Sequence, residues 1–243
     1  MSVDVMVLSA HPDDAELSCS GTVKKLTNEG RSVVFVECTR GELGTRGSAD
    51  LREQEATEAA RILGVNDREC LDMPDGHIMH TNENIHAVIR SLRTWKPKLL
   101  LIPPPFERHP DHEAVHKLAR AAAFLAGLTK ISTQANGSEQ HPHRPTRMLC
   151  FQQQYDFPRE PDVYVDISDT FDAKMNSIKA FSSQFYLPDL YTSDEPTTFI
   201  SRPGFLEEIE ARALYLGSRI GVRYAEAYLA VEPLAVSSLS VFL

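Results

Sequence analysis

The sequence predicts a three-layer α/β protein, in which helices cover both faces of a Rossmann-like, doubly wound and mainly parallel sheet. Two observations support this fold class. Short apolar strands alternate with amphipathic helices from residue 3 to residue 126. The strands are apolar throughout rather than at every second position, which is typical of parallel strands buried on both faces. Because crossover connections are right-handed, a doubly wound sheet is the favoured topology.

The strands and helices follow one another in a regular order. The stretch "VDVMVLSA" (3–10) is the first apolar strand, and Gly30 ends the helix that follows it. In the first half, strands are predicted at 3–10, 32–39, 69–73 and 98–103, and helices at 16–30, 50–65, 82–97 and 111–126. In the second half we expect an exposed loop at 130–147, strands at 148–154 and 162–168, a helix at 170–183, an irregular lid or partner-binding segment at 186–204, a helix at 205–217 and a strand at 226–231.

Length and charge limit the classes of protein. With 243 residues we expect one domain over 1–243, made of a Rossmann-like core (1–129) and further strands, helices and substrate-facing loops (130–243). The formal net charge of -9 disfavours a nucleic-acid partner, because phosphate contacts need clustered Lys and Arg. The N-terminus does not resemble a secretion signal, and no apolar run is long enough to span a membrane. We therefore expect a cytoplasmic protein without a membrane partner.

Two stretches rich in histidine and acid follow predicted strands. "AHPDDAE" (10–16) comes after the first strand, and "RHPDH" (108–112) comes after the fourth. In a 3-2-1-4-5 strand order these two strands are neighbours, and the order reverses between them. Ligands of open α/β sheets bind at this reversal, outside the carboxyl ends of the strands. We therefore expect the two stretches to face each other.

The residue types of these stretches predict a metal site. Catalytic zinc takes three ligands from histidine and carboxylate groups and leaves one position for water. His11 and Asp14 are spaced to hold one ion, and a third ligand from "HPDH" (109–112) would complete the set. One Zn²⁺ per chain is expected, with Fe²⁺ or Mn²⁺ as alternatives in cells. Asp13 is then left to accept a proton from water, unless it and Asp14 only cap a helix.

A second metal motif competes for the same residues. "HEAVH" (112–116) fits the H-E-x-x-H pattern of zincin-type metallopeptidases, with Glu113 as the base. Pro110 and Asp111 place His112 at a helix start rather than inside a helix, and this alternative gives "AHPDDAE" no role. Neither G-x-G-x-x-G nor a P-loop follows any predicted strand, so a nucleotide-binding function is not indicated.

Taken together, the motifs resemble those of the LmbE-like or PIG-L family of zinc-dependent N-acetylglucosaminyl deacetylases. Beside "AHPDDAE" and "RHPDH", the resemblance covers "TRGELGTRG" (39–47), "LREQEATEAARILGV" (51–65), "LDMPDG" (71–76), "VDISD" (165–169) and "EARALYLGSRIGVRYAEAY" (210–228). The chain is most similar to the branch that deacetylates N-acetylglucosaminyl-malate in bacillithiol biosynthesis.

This resemblance implies a role for each motif residue. His11, Asp14 and His112 are implied as metal ligands, and Asp13 as the general base. His109 is implied to stabilise the oxyanion and to protonate the leaving amine, and Asp111 to orient His109. Substrate or oxyanion contacts are implied for Arg52 and Arg108. Asp75, in "MPDG", is either a ligand of a sugar hydroxyl or a turn residue.

The implied reaction is hydrolysis of the N-acetyl group of a GlcNAc conjugate by metal-activated water. The expected substrate is N-acetylglucosaminyl-malate; the alternatives are another GlcNAc conjugate, a chito-oligosaccharide, a peptide, or a ligand that a non-enzymatic protein merely binds. The resemblance also implies a homo-oligomer, such as a hexamer. Tyr186 and Tyr191 are candidate gates of the cleft. A malate carboxylate needs a cation, and the candidates are Arg144, Arg147, Arg202, Arg219 and Arg223.

Overall fold

The computed structural model describes residues 2–188 and 196–242 of the chain. Its strands are β1 (Val5–Ser9), β2 (Val33–Glu37), β3 (Asp67–Cys70), β4 (Leu99–Ile102), β5 (Gln134–Ala135), β6 (Ser138–Glu139), β7 (Arg147–Phe151), β8 (Val163–Asp166) and β9 (Ala225–Ala230). Its helices are α1 (Asp14–Asn28), α2 (Ala49–Leu63), α3 (Asn82–Trp95), α4 (Pro110–Ala126), α5 (Phe171–Lys179), α6 (Phe205–Ile220) and a 3-10 turn at Leu239–Phe242. The elements build one mixed sheet with helices around it, and the predicted α/β class is confirmed.

The strand order confirms the expected arrangement around β1. The main sheet runs β3-β2-β1-β4-β7-β9-β8. Val5 of β1 pairs in parallel with Val33 on one side and with Leu99 on the other. β7 is the fifth strand predicted from the sequence, and it lies parallel beside β4, as a 3-2-1-4-5 order requires. β9 is inserted antiparallel between β7 and β8, which the sequence analysis does not anticipate.

Successive residues of the central strand pack against opposite helix layers. Val5 and Val7 belong to a buried cluster that includes Val23 of α1. Met6 and Leu8 belong to another, which includes residues of α3 and α4. Both faces of β1 are therefore covered, and this explains why the strand is apolar at every position.

The segment 130–147 is mostly exposed, as expected, but it also carries regular structure and one buried contact. It contains the short antiparallel hairpin β5-β6, and it packs around Arg93 of α3, whose side chain is only 2% exposed. The Arg93 guanidinium donates to the carbonyl oxygens of Ala126, Leu128 and Ile131 over 2.7–3.0 Å. These carbonyls lie at and just beyond the end of α4, where helices leave acceptors without partners. Arg93 therefore acts as a buried cap for α4.

In the described part of the chain, no helix is both long enough and apolar enough to cross a membrane. Cys19, Cys38 and Cys150 are buried free thiols, whereas Cys70 is exposed.

Candidate active site

A cavity of about 410 Å³ opens at the carboxyl edge of the parallel strands. Its walls come from the turns after β1, β4 and β7, the loops at 43–45, 75–76 and 198–200, and helices α2 and α6. Both histidine stretches reach it, so the structure brings them face to face at the reversal of strand order, as predicted. The segment 186–204 contributes residues 198–200 to the wall, whereas 130–147 contributes none among the described residues.

The turn after β1 is held in shape by Asp14. Its Oδ2 atom accepts the backbone N–H groups of Ala10 and His11 at 3.1 and 2.9 Å. Its Oδ1 atom lies 3.1 Å from Nε2 of His112, and Nδ1 of His11 is 3.5 Å from Oδ2. Although burial opposes ionisation, His112 and His11 hold the pKa of Asp14 well below its usual value. The carboxylate is therefore ionised between the two histidines.

The other nitrogen of His11 faces two more carboxylates. His11 Nε2 lies 3.0 Å from Oδ1 of Asp75 and 3.3 Å from Oδ2 of Asp111. Burial alone would lower the pKa of this imidazole, but the surrounding carboxylates raise it well above its usual value. Burial would raise the pKa of Asp75, but His11, the backbone N–H of Leu43 and the charge of Arg52 together lower it to about 2. The sequence analysis did not predict the contact between His11 and Asp75, which are 64 positions apart.

This donor set fits a metal ion. Two groups of three possible ligand atoms lie within 4.8 Å of one another: His11 with His109 and His112, and His11 with Asp75 and Asp111. Buried His112 Nδ1 has no hydrogen-bond partner among the residues that the structure describes, so no contact there explains the orientation of this ring. Nitrogen and carboxylate donors in this number suit zinc, and imidazole also suits iron.

Asp13 points into the same cavity but pairs with an arginine rather than with the histidines. Its Oδ2 atom lies 3.0 Å from Nη2 of Arg52, and both side chains are about 95% buried. Arg52 Nη1 also donates to the carbonyl of Gly41 at 3.0 Å. Gly41 has φ +66°, and a Cβ there would overlap the guanidinium, so glycine is required in "TRGELG". Burial, more than the attraction of Arg52, raises the pKa of Asp13.

His109 and Asp111 are not paired as the resemblance implies. The Asp111 carboxylate contacts His11 and accepts the backbone N–H of Gly76 at 2.8 Å. Instead, the backbone N–H of Asp111 donates to His109 Nδ1 at 3.2 Å, because His109 is the N-cap of α4. Burial, helped by the neighbouring imidazoles of His11 and His112, lowers the pKa of His109. The contact with Nδ1 leaves the proton of the neutral ring on Nε2.

The geometry does not support the zincin alternative. His116 is 6% exposed, and its Nδ1 atom lies 2.9 Å from the carbonyl oxygen of Pro103. It is not among the described residues that line the cavity, whereas His11, Asp14 and His112 are. His112 and His116 share a helix but not a site.

Of the remaining predicted residues that the structure describes, only Arg108 lines the cavity. Arg108 is exposed at the cavity, and its guanidinium stacks 4.3 Å from the centre of the Phe199 ring. Tyr186 is not among the described residues that line the cavity, and Tyr191 lies outside the described residues. The five arginines considered for a substrate carboxylate also lie elsewhere in the described structure. The sequence analysis missed Arg212 and Gln153, which do line the cavity and belong to no ligand motif.

The fold and the site define an α/β protein with a histidine–carboxylate centre at its topological switch point. A model of the family described as PIG-L, GlcNAc-PI de-N-acetylase, matches residues 6–123. The chain is 31% identical over 232 residues to the diacetylchitobiose deacetylase of Thermococcus kodakarensis, and the match covers 91% of this chain and 80% of that protein. The chain therefore belongs to the PIG-L family.

Two further similarities extend over most of the chain. It is 26% identical over 198 residues to a probable N-acetyl-alpha-D-glucosaminyl L-malate deacetylase 2 of Bacillus subtilis, covering 76% of this chain and 84% of that protein. The solved structure of a conserved protein from Thermus thermophilus superposes with a TM-score of 0.85 at 33% identity, over 98% of both chains.

Proposed function

We propose that the protein is a metal-dependent N-deacetylase that hydrolyses the acetamide of a GlcNAc conjugate. One observation carries this proposal: an ionisable acid, Asp13, shares a cavity with a cluster of histidine and carboxylate donors in a chain of the PIG-L family. A nucleophilic side chain is not needed for such a reaction, because water can attack the acetyl carbon directly.

His11, Asp14 and His112 would hold the metal, because Asp14 lies between the two imidazoles and its charge is maintained by them. When bound, a zinc ion supplies a Lewis acid that polarises a carbonyl oxygen and lowers the pKa of a water molecule. Imidazole nitrogen and carboxylate oxygen suit this ion, while iron and manganese are the alternatives. Asp75 and Asp111 hold His11 from its other side and fix the orientation of its ring.

Asp13 accepts the proton of the attacking water. Its raised pKa brings it closer to that of an effective base near neutral pH. Arg52 keeps the carboxylate in one position through a buried ion pair. His109 donates a hydrogen bond from its Nε2–H group to the developing oxyanion, because its Nδ1 atom already accepts the backbone N–H of Asp111. As the C–N bond breaks, the proton that Asp13 took from water passes to the amine nitrogen, so that acetate and the free amine are released.

Two GlcNAc conjugates are candidate substrates. The similarity to a diacetylchitobiose deacetylase favours a chito-oligosaccharide. The similarity to a malate-conjugate deacetylase, together with the motifs of that branch, favours N-acetylglucosaminyl-malate and a place in bacillithiol biosynthesis. An oligomer remains an expectation from the resemblance.

A substrate panel tests the proposal. Acetate and free amine are measured after incubation with diacetylchitobiose, N-acetylglucosaminyl-malate, GlcNAc and an unrelated peptide, each with and without a chelator. We expect equal amounts of acetate and amine from at least one GlcNAc conjugate, and loss of both with the chelator. Cleavage of the peptide alone would contradict the proposal and would favour the zincin-type peptidase alternative based on "HEAVH" (112–116).

A further inference from the structure

Arg212 is a cation inside the cavity that the proposed chemistry does not use. It lies on α6, is half-buried, and lines both the main cavity and a small adjoining cavity. Its guanidinium donates to the backbone carbonyl oxygens of Gln153 and Gln154, just beyond β7. These contacts hold the group in place, but they supply no negative charge.

The nearby acids do not neutralise Arg212. Glu107, Asp156 and Glu208 act on it only through space. The Glu107 carboxylate accepts backbone N–H groups after β7, Asp156 accepts the side-chain amide of Gln152 at 2.8 Å, and Glu208 pairs with Arg202.

Burial consequently lowers the pKa of the Arg212 guanidinium, and desolvation dominates over the acids that oppose it. Taking a cation out of water without a paired anion is costly, so such a group is a strong candidate to receive one. Arg108, by contrast, is exposed, and water solvates its charge.

Two more polar groups in the cavity wall lack hydrogen-bond partners in the described part of the chain. Oε1 of Gln153 and Oγ of Ser18 are buried and accept or donate no hydrogen bond within the described structure. Gln153 is 7% exposed and Ser18 is 8% exposed, and both line the main cavity. Buried polar groups are nearly always paired, so these two are expected to meet a ligand or water. We call Ser18, Gln153 and Arg212 the polar subsite.

We infer that the polar subsite binds a carboxylate, with Arg212 as the residue that determines specificity for it. The inference rests on the proposed deacetylation, which offers two sources of this group. One source is an acidic aglycone of the substrate, and the other is the acetate that the reaction releases. In either case the guanidinium provides the charge, while Gln153 and Ser18 bind neighbouring hydroxyl or amide groups of the ligand.

The test compares an acidic substrate with uncharged ones. Turnover of N-acetylglucosaminyl-malate, its dimethyl ester and diacetylchitobiose is measured for the wild type, Arg212→Gln and Arg212→Lys. Arg219→Gln is the matched control, because Arg219 is on the same helix but is exposed and pairs with Glu160. Inhibition by acetate is measured with the same proteins.

For an aglycone carboxylate, we expect Arg212→Gln to lower kcat/KM for the acid about 10- to 100-fold, mostly through KM. The ester and diacetylchitobiose should change less than about threefold, and Arg212→Lys should recover part of the loss because it restores the charge. For product acetate, all three substrates should change alike, and the inhibition constant of acetate should rise about tenfold or more. Equal losses with unchanged acetate inhibition, or no loss at all, would overturn the inference.

Two further measurements cover failure of the variants or of the proposed function. If the Arg212 variants do not fold, Gln153→Leu replaces them, because the backbone carbonyl that holds Arg212 remains; the same selectivity for the acid is then expected to fall. If the wild type releases acetate from none of the substrates, the proposed function is refuted. Calorimetry then compares the affinity of the wild type for N-acetylglucosaminyl-malate with its affinity for the diester. Tighter binding of the acid is expected, and equal affinity for the two would refute the inference.

Discussion

Replacing Asp13 by Asn removes the proposed base while leaving the arrangement around it almost intact. The amide oxygen of Asn can still accept from Arg52 Nη2, which lies 3.0 Å from the native carboxylate. Positioned general acid–base groups typically contribute about 10²- to 10⁴-fold to a rate, so kcat is expected to fall by that factor. This corresponds to about 3–5 kcal/mol of barrier. KM and the metal content should change little, because Asp14 and the histidines keep their positions.

The contrast with Asp13→Ala separates chemistry from stability. Both substitutions remove the anion from the buried Arg52 guanidinium, but alanine also removes the hydrogen-bond acceptor, and breaking a buried ion pair in this way costs about 3–5 kcal/mol. Asp13→Asn should cost clearly less in urea unfolding but should lose as much activity. The assay is acetate release at saturating substrate, with metal content measured on the same samples. An Asp13→Asn protein that keeps most of its kcat, or that loses its metal, would refute the assigned role.

Three other predictions concern the rest of the molecule. Burial outweighs the attraction of Arg68 and raises the pKa of Glu37 to about 7. Because this pKa lies above the unfolded value of about 4.3, the contribution of Glu37 to stability is present at low pH and is lost as the pH rises through about 7. Glu37→Gln should therefore flatten the pH dependence of the free energy of unfolding between roughly pH 5 and 8. Arg93→Met should lower the free energy of unfolding by about 1–3 kcal/mol, because the Ile131 carbonyl and the Thr133 hydroxyl lose their donor while the Ala126 and Leu128 carbonyls keep backbone donors; an unchanged urea midpoint would contradict the capping role. His116→Ala should keep its metal, whereas His112→Ala should lose it, and the reverse result in metal analysis would favour the zincin alternative.

The features predictable from sequence are those that local patterns determine. Apolar runs and helix-ending residues identify the central strands and helices, and both histidine stretches directly follow such strands. The reversal of strand order between β1 and β4 then brings His11 and His112 together without knowledge of any distant contact. For this reason the position of the site could be inferred before the structure was known.

The features missed depend on contacts between distant parts of the chain. The insertion of β9 between β7 and β8 is a choice of pairing partner, which strand composition does not encode. Arg93 resembles an ordinary surface residue of an amphipathic helix, yet it is buried against the segment after α4. Asp75 reaches His11 across 64 positions. Arg212 could not be predicted as a binding residue, because its position in the cavity wall depends on how α6 packs.

The central claim is tested most directly by titrating the metal-free protein with Zn²⁺. Acetate release is measured at each zinc concentration, with the GlcNAc conjugate that is turned over best as the substrate. The claim is that one ion held between the ends of β1 and β4 makes this chain a deacetylase. We expect no release without metal and a linear rise that saturates at about one ion per chain, the number that a single catalytic zinc site requires. Full activity of the metal-free protein would contradict the account. So would the absence of activity at every concentration of Zn²⁺, Fe²⁺ and Mn²⁺.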